Sequence, residues 1–381
     1  MTSTSKTSFP RRRIGIDARL MYQTGVGVYI RNLLKEIKDL PQVTFEMHVF
    51  VLASDAVRVR EDFNHTTFIF HETRAAWHGF AEQVLFLFEL IRLRLDLMHF
   101  PYVSWPVLYP GAFVATVHDT ILLTQKTGKA TMRHPLVYAL KRHVFRWVFG
   151  QQITRARRIM VPSYAVRDEL ANHFSFARDK VHITYEGVDA DFRSATPEPF
   201  APLVDTQYFL YVGNCYPHKN VEVLLDAYKA LSKEDNNTKL CIVGPKNRFT
   251  ERIMQRVREH ALESAVVWIH DASPALLKWL YLHAQALVFP SKSEGFGLPI
   301  LEAMMCGCPL ILSDIPVFHE VARDEALYFS PSDTNKLYEC LKNALLNKPG
   351  TAPYNRQTLF DFAKMARETG EVYESVLRSS V

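Results

Sequence analysis

Ala286-Leu-Val-Phe-Pro-Ser-Lys-Ser-Glu294-Gly295-Phe296-Gly297-Leu298-Pro299-Ile-Leu-Glu302-Ala303-Met304 is the stretch that decides how the chain is read. Ala286–Phe289 forms a short apolar strand closed by a proline. A Gly-x-Gly loop follows, and Pro299 sits in the first turn of a helix, where its missing N–H costs nothing. Strand, glycine loop and helix in that order make one unit of a parallel sheet wrapped by helices, and such sheets hold ligands outside the carboxyl ends of their strands. The amides of Phe296, Gly297 and Leu298 are therefore expected to face an anion, which a helix start favours by about 0.3–1 kcal/mol. Glu294 before the loop and Glu302 one turn into the helix flank the same mouth. Carboxylates there accept hydrogen bonds from the paired hydroxyls of a sugar or ribose.

Outward from this unit, the alternation of strands and helices occurs twice. In the first half, strands are predicted at 13–17, 44–52, 113–117 and 158–162, with a helix from Gly27 to Ile37 and Ser163 placed to cap another. Ser194-Ala-Thr-Pro-Glu-Pro-Phe-Ala-Pro202 breaks the periodicity and reads as a linker. Strands resume at 208–212, 239–243, 266–269, 286–289 and 309–313. Helices are expected at 221–231, 251–260, 274–282 and 299–305, and an amphipathic one at about 359–377. The expected fold is α/β, with two doubly wound domains facing a cleft. Residues 1–193 form the first, 194–202 the linker and 203–357 the second, and 358–381 cross back onto the first.

A chain of 381 residues, 48% hydrophobic with 15 Gly and 20 Pro, has enough apolar side chains for two cores and is neither collagen-like nor disordered. The net charge is +5, but residues 1–195 carry 26 basic and 18 acidic side chains, so the first half is the basic one and something anionic is expected beside it. All 5 cysteines lie in the second half with no CxxC pair, which is no disulfide framework and points to a reducing compartment. Cys306 and Cys308 have no matching His or Cys pair for a metal and read as small buried thiols. No secretory leader and no span of about 20 apolar residues is expected.

Other strand ends carry chemistry. Tyr211-Val-Gly213-Asn214-Cys-Tyr-Pro-His218-Lys219-Asn220 puts Lys219 at a predicted helix start, where a cation opposes the helix dipole unless an anion joins it. A solvated surface lysine is the plainer reading. His118-Asp119 ends a strand in the expected cleft; a lone histidine is more often a hydrogen-bonded core residue, and Asp119 either orients it or caps the next turn. Gly25 and Gly27 trail Asp17 too far for a dinucleotide loop, so NAD is not expected. From Lys126 to Arg158 there are nine Lys/Arg and no Asp or Glu, interleaved with aromatic and aliphatic residues. That pattern suits an anionic lipid surface, or equally a helix with one buried face. Without a recognition module, nucleic acid is not expected.

The segment Glu294 to Glu302 resembles the E-x7-E motif of retaining GT-B glycosyltransferases, specifically family 4. Thr24-Gly25-Val26-Gly27, His118-Asp119, Gly187-Val188-Asp189 and Lys219-Asn220 recur in the order seen there, so the resemblance covers roughly Ile14 to Tyr373. It implies transfer of a sugar from a nucleotide-sugar to a hydroxyl with retained configuration. His118, Lys219 and Glu294 would be the catalytic residues. Gly25, Gly27, Gly213, Asn214, Lys219, Gly295, Phe296, Gly297, Leu298 and Glu302 would bind the donor, with Glu294 at the sugar, Glu302 at the ribose and Lys219 at the diphosphate. Asn214 stands where the family often has a diphosphate arginine, a role that would fall to Arg248 or His218. No cofactor and no metal is expected; Asp189-Ala190-Asp191 superficially looks like a metal-binding D-x-D but lies beside the linker. Thr24–Gly27 and His99–Pro101 resemble bacterial O-antigen mannosyltransferases, which favours GDP-mannose and a saccharide or lipid-linked acceptor at the cytoplasmic membrane face. A UDP-sugar transferase and a nucleotide-sugar epimerase remain as alternatives.

Overall fold

The computed structural model describes residues 11–23, 25–38, 40, 45–124, 135–347 and 358–379. The readings that rest on Thr24 and on 126–134 lie outside the described residues. The first domain runs β1 (Arg12–Asp17), α1 (Val26–Ile37), β2 (Phe45–Leu52), α2 (Ala56–Asp62), β3 (Ile69–Thr73), α3 (Leu87–Leu93), β4 (Leu97–Phe100), β5 (Phe113–Thr116), α4 (Ile121–Thr124), α5 (Pro135–Arg155), β6 (Ile159–Val161), α6 (Tyr164–His173) and β7 (Val181–Ile183). Its seven strands pair in parallel in the order β3-β2-β1-β4-β5-β6-β7. Successive strand residues point to opposite faces, so Val49, Leu97 and Val114 enter one core, and Phe50, Met98 and Ala115 enter the other.

The second domain runs α7 (Ala190–Ser194), β8 (Tyr208–Val212), α8 (Val221–Leu231), β9 (Lys239–Val243), α9 (Arg248–Glu259), β10 (Val266–Ile269), α10 (Pro274–His283), β11 (Ala286–Phe289), α11 (Leu298–Met305), β12 (Leu310–Ser313), α12 (Pro316–Ala322), β13 (Ala326–Phe329) and α13 (Thr334–Leu346). The parallel order is β10-β9-β8-β11-β12-β13. The two sheets with their helices form two separate α/β layers, a GT-B arrangement. Among the described residues, no helix is long and apolar enough to cross a membrane.

Two segments join the domains. Residues 195–200 run along α10, where the Glu198 amide donates to Ala275 O at 3.1 Å and Lys278 Nζ donates to Arg193 O and Ala195 O. The stretch read as a linker joins the domains and is laid against a helix. The last helix, α14 (Phe362–Arg378), buries Phe362, Met365, Tyr373 and Val376 in the first domain's core. Gly187 lets this crossing segment approach, since a Cβ there would meet Phe362 N at 2.6 Å. Inside the core, Tyr373 Oη and Thr116 Oγ1 bracket the His99 ring at 2.7 Å each, and burial pushes His99 down to about 3. His99 is therefore a neutral, structural group.

Candidate active site

In the second sheet the connections diverge between β8 and β11, and in the first between β1 and β4. The loops beyond these strands line one interdomain cleft of about 1460 Å³. Asn220, in the left-handed region at φ 59°, donates through Nδ2 to Pro290 O at 3.0 Å and Pro331 O at 2.8 Å, which fastens the loop after β8 to its neighbours. Lys219 precedes it in a short 3₁₀ turn, two residues before α8 rather than within the helix start. Its Nζ donates to Glu294 Oε1 at 2.6 Å and Oε2 at 2.8 Å, and Ser291 Oγ donates to the same Oε1 at 2.6 Å. The cation expected to meet an anion therefore already holds one, supplied by the chain.

Beyond Glu294 the backbone turns through Gly297 at φ 102°, which an L side chain rarely adopts. Among the described residues, no backbone or side-chain acceptor pairs with the amides of Phe296, Gly297 or Leu298. The Phe296 ring is buried against Tyr185 and Phe360, so what this residue offers the cleft is mainly backbone. Gly295 lines the cleft, but its neighbour corrects the reason for the glycine. A Cβ there would lie 1.8 Å from His118 O in the other domain, and Ser163 Oγ donates to Gly295 O at 2.8 Å. The missing side chain admits the opposite domain as well as any ligand. Glu302, at the same mouth, accepts from Tyr281 Oη at 2.9 Å, and burial pushes its carboxyl up to about 7.

His118 reaches the cleft with both ring nitrogens engaged: Nε2 lies 2.9 Å from Pro101 O and Nδ1 3.1 Å from Glu186 Oε1. Its ring also meets Tyr29 edge-on at 4.7 Å. The Pro101 carbonyl requires Nε2–H, so a further proton must lie between Nδ1 and the Glu186 carboxyl. Glu186, which sequence reasoning did not single out, orients the histidine. Asp119 instead accepts from the Ile121 amide at 2.9 Å and caps the next turn; its burial raises its pKa.

The remaining candidates divide. Gly25 lines the cleft at φ 68° as the N-cap of α1. Gly27 lies outside the lining: a Cβ there would sit 2.6 Å from Met21 O, so its role is the packing of the turn on its own helix. Gly213 and Asn214 line the cleft, and Gly213 O approaches Gly244 so closely that a Cβ on Gly244 would stand 2.1 Å away. Asn214 Oδ1 accepts from the Tyr216 amide at 3.2 Å. Arg248 and His218 are also on the wall; burial lowers His218 to about 4, leaving Arg248 as the cation of the two. Asp189 accepts from Asn32 Nδ2 at 2.9 Å and Asp191 pairs with Lys35 at 2.8 Å, so both carboxylates tie the start of α7, just before the linker, to α1.

Residues 23–192 match Glycosyltransferase Family 4, and residues 194–358 match Glycosyl transferases group 1. The chain belongs to the group 1 glycosyl transferases. The O-antigen chain mannosyltransferase RfbU of Salmonella typhimurium strain LT2 is 32% identical over 263 residues, covering 68% of this glycosyltransferase and 72% of RfbU. The serotype-specific mannosyltransferase WbdA of Escherichia coli is 38% identical over 135 residues, covering 34% of this chain and 17% of WbdA. Among solved structures, sucrose-phosphate synthase from Thermosynechococcus elongatus superposes with a TM-score of 0.72 at 18% identity, over 97% of this chain and 100% of that one. Anabaena Alr3699/HepE in complex with UDP and glucose does so at 0.72 and 15%, over 96% and 100%. Both carry the fold alone.

The glycosyltransferase's cleft thus brings together Lys219, Glu294, the three amides and Glu302 on one wall, with His118 facing them. Besides Glu186, sequence reasoning missed Tyr281. Their only local signal is a polar residue close to an apolar strand or within an apolar helix, a pattern shared by many residues that do nothing chemical.

Proposed function

We propose that this glycosyltransferase moves a mannosyl group from GDP-mannose onto a hydroxyl of a saccharide or lipid-linked saccharide, with retained configuration, in bacterial surface polysaccharide synthesis. The observation that carries the reading is the Lys219–Glu294 pair beside the unpartnered amides of the 296–298 loop. That RfbU and WbdA are mannosyltransferases supports mannose among the sugars.

As the glycosidic bond breaks, negative charge grows on the departing diphosphate while the sugar becomes oxocarbenium-like. In this reading the loop amides and Lys219 receive that charge, the preorganised electrostatics that usually contributes most to enzymatic rate. Lys219 is freed by exchanging the Glu294 carboxylate for phosphate, and Glu294, released, turns to the sugar hydroxyls. Tyr281 holds Glu302 at the ribose, and Arg248 stands in for the arginine absent at Asn214. His118, held by Glu186, stands near the donor sugar, reaching it from the first domain. The departing phosphate oxygen takes the acceptor's proton, so no metal and no further cofactor is needed.

The test is turnover of radiolabelled GDP-mannose with extracted lipid-linked saccharides, scored against UDP-glucose and UDP-N-acetylglucosamine, with the anomeric configuration of the product read by NMR. Acceptor-dependent mannosyl product of the donor's own configuration is expected. Product from a UDP-sugar alone moves the assignment to that donor, and an altered sugar formed without acceptor moves it to an epimerase.

A further inference from the structure

A second surface stands apart from the cleft. A π-type turn over Glu82–Phe86 runs directly into α3, and along this segment Phe80 (84% exposed), Val84 and Phe88 (67%) face solvent. The inner side of the same segment is anchored: Arg19 pairs with Glu82 at 2.7 Å and lies 3.9 Å over the Phe86 ring. The outward apolar row is thus held in place by a buried ion pair. On α5, Val144 and Trp147 (57%) are exposed in the same way. Both helices pack on the loop 102–109: Gln83 accepts from the Val107 amide, and Trp105 Nε1 donates to Val148 O at 3.2 Å. That loop presents Leu108 at 76% exposure between them.

Isolated exposed apolar side chains are ordinary, but a cluster drawn from three adjoining elements marks an interaction site. Its charge selects the partner. Across 80–94, 102–109 and 135–155 the acids are Glu82 and Glu89. Glu82 is buried against Arg19, and Glu89 accepts from Thr73 Oγ1 while burial raises its pKa. Arg92 in the last turn of α3, Arg94 just beyond it and Arg146 next to Trp147 on α5 are exposed. Arg155, counted among the cations facing lipid, instead donates to the Val107 and Tyr109 carbonyls and braces the loop. We infer that Phe80, Val84, Phe88, Leu108 and Trp147, with these arginines near them in the chain, form a docking face for an anionic lipid bilayer. Its use rests on the lipid-linked acceptor proposed above, but the lipid contact itself needs no donor.

Flotation with vesicles of equimolar phosphatidylglycerol and phosphatidylcholine tests it, beside vesicles of phosphatidylcholine alone. Wild type and the distant control Leu346→Glu are expected to rise with the anionic vesicles. Phe80→Glu/Phe88→Glu should reduce recovery roughly tenfold or more, and Arg92→Gln/Arg94→Gln/Arg146→Gln should make it fall more steeply with salt. Thermal shift with GDP-mannose, measured on every variant, reports an intact donor site. Recovery unchanged in both multiple variants, wild type left in the load, or a wild-type dimer that Phe80→Glu/Phe88→Glu dissolves would overturn the docking face. Wild type that stays in the load yet is stabilised by GDP-mannose defeats this face and spares the transferase reading, and wild type that floats but gains no stability from GDP-mannose does the reverse.

Discussion

On the second-domain wall of the cleft, Lys219 and Glu294 neutralise one another across two loops, both side chains largely out of water. On the first-domain wall, His118 is fastened by a carbonyl and a carboxyl, and neither ring nitrogen is left over. A buried ion pair gains little net stability, because desolvation offsets most of its Coulomb attraction. Its partners are therefore inexpensive to exchange when a ligand brings its own charge. A histidine with both nitrogens engaged is rigid. The comparison separates a wall whose charges a charged ligand can exchange from a wall whose contacts hold it in place.

Breaking the exchangeable wall should have the largest effect. Lys219→Ala is expected to lower turnover roughly 10²–10³-fold without unfolding, by analogy with loss of one oxyanion donor, measured as kcat/KM with the thermal midpoint as control. Unchanged kcat/KM would remove Lys219 from the chemistry. Next comes the contact between the walls: Gly295→Ala places a methyl where His118 O stands and should force the domains apart, costing roughly 10²-fold in kcat, while donor binding followed by thermal shift changes less. Glu186→Leu sharpens the rigid wall by leaving His118 Nδ1 unpaired, with an expected loss of about 1–3 kcal/mol in a denaturant titration. The smallest effect is a slope. Glu302 titrates from 4.5 to about 7 on folding, so between those values the folded state binds the extra proton and stability declines as pH rises. Glu302→Gln should flatten that decline by on the order of 1 kcal/mol, read as chemical denaturation at acid and neutral pH.

The two halves also differed in how plainly they could be read. Strands β8, β9, β10 and β11 begin and end where the sequence places them, because each is a short, almost wholly apolar run bounded by polar or turn residues. Strands β3, β4, β7 and β13 escaped notice for local reasons. Leu97-Met-His-Phe100 is four residues with a polar histidine, Val181-His-Ile183 is three, and Ile69–Thr73 and Ala326–Phe329 are only partly buried. Such short segments are strands because neighbours pair with them, a property of the sheet rather than of the segment. The same holds for Glu186, whose function depends on a histidine 68 positions earlier.

Order along the chain sufficed for the architecture and for placing the glycine loop on the cleft, since period, proline, glycine and capping act over a few residues. Which carboxylate holds Lys219, which one orients His118, why Gly295 lacks a side chain, and where Phe80, Leu108 and Trp147 gather were settled only by folding. Each depends on an approach between residues far apart in sequence, and the energy of that approach comes from the packing of two sheets and a returning helix.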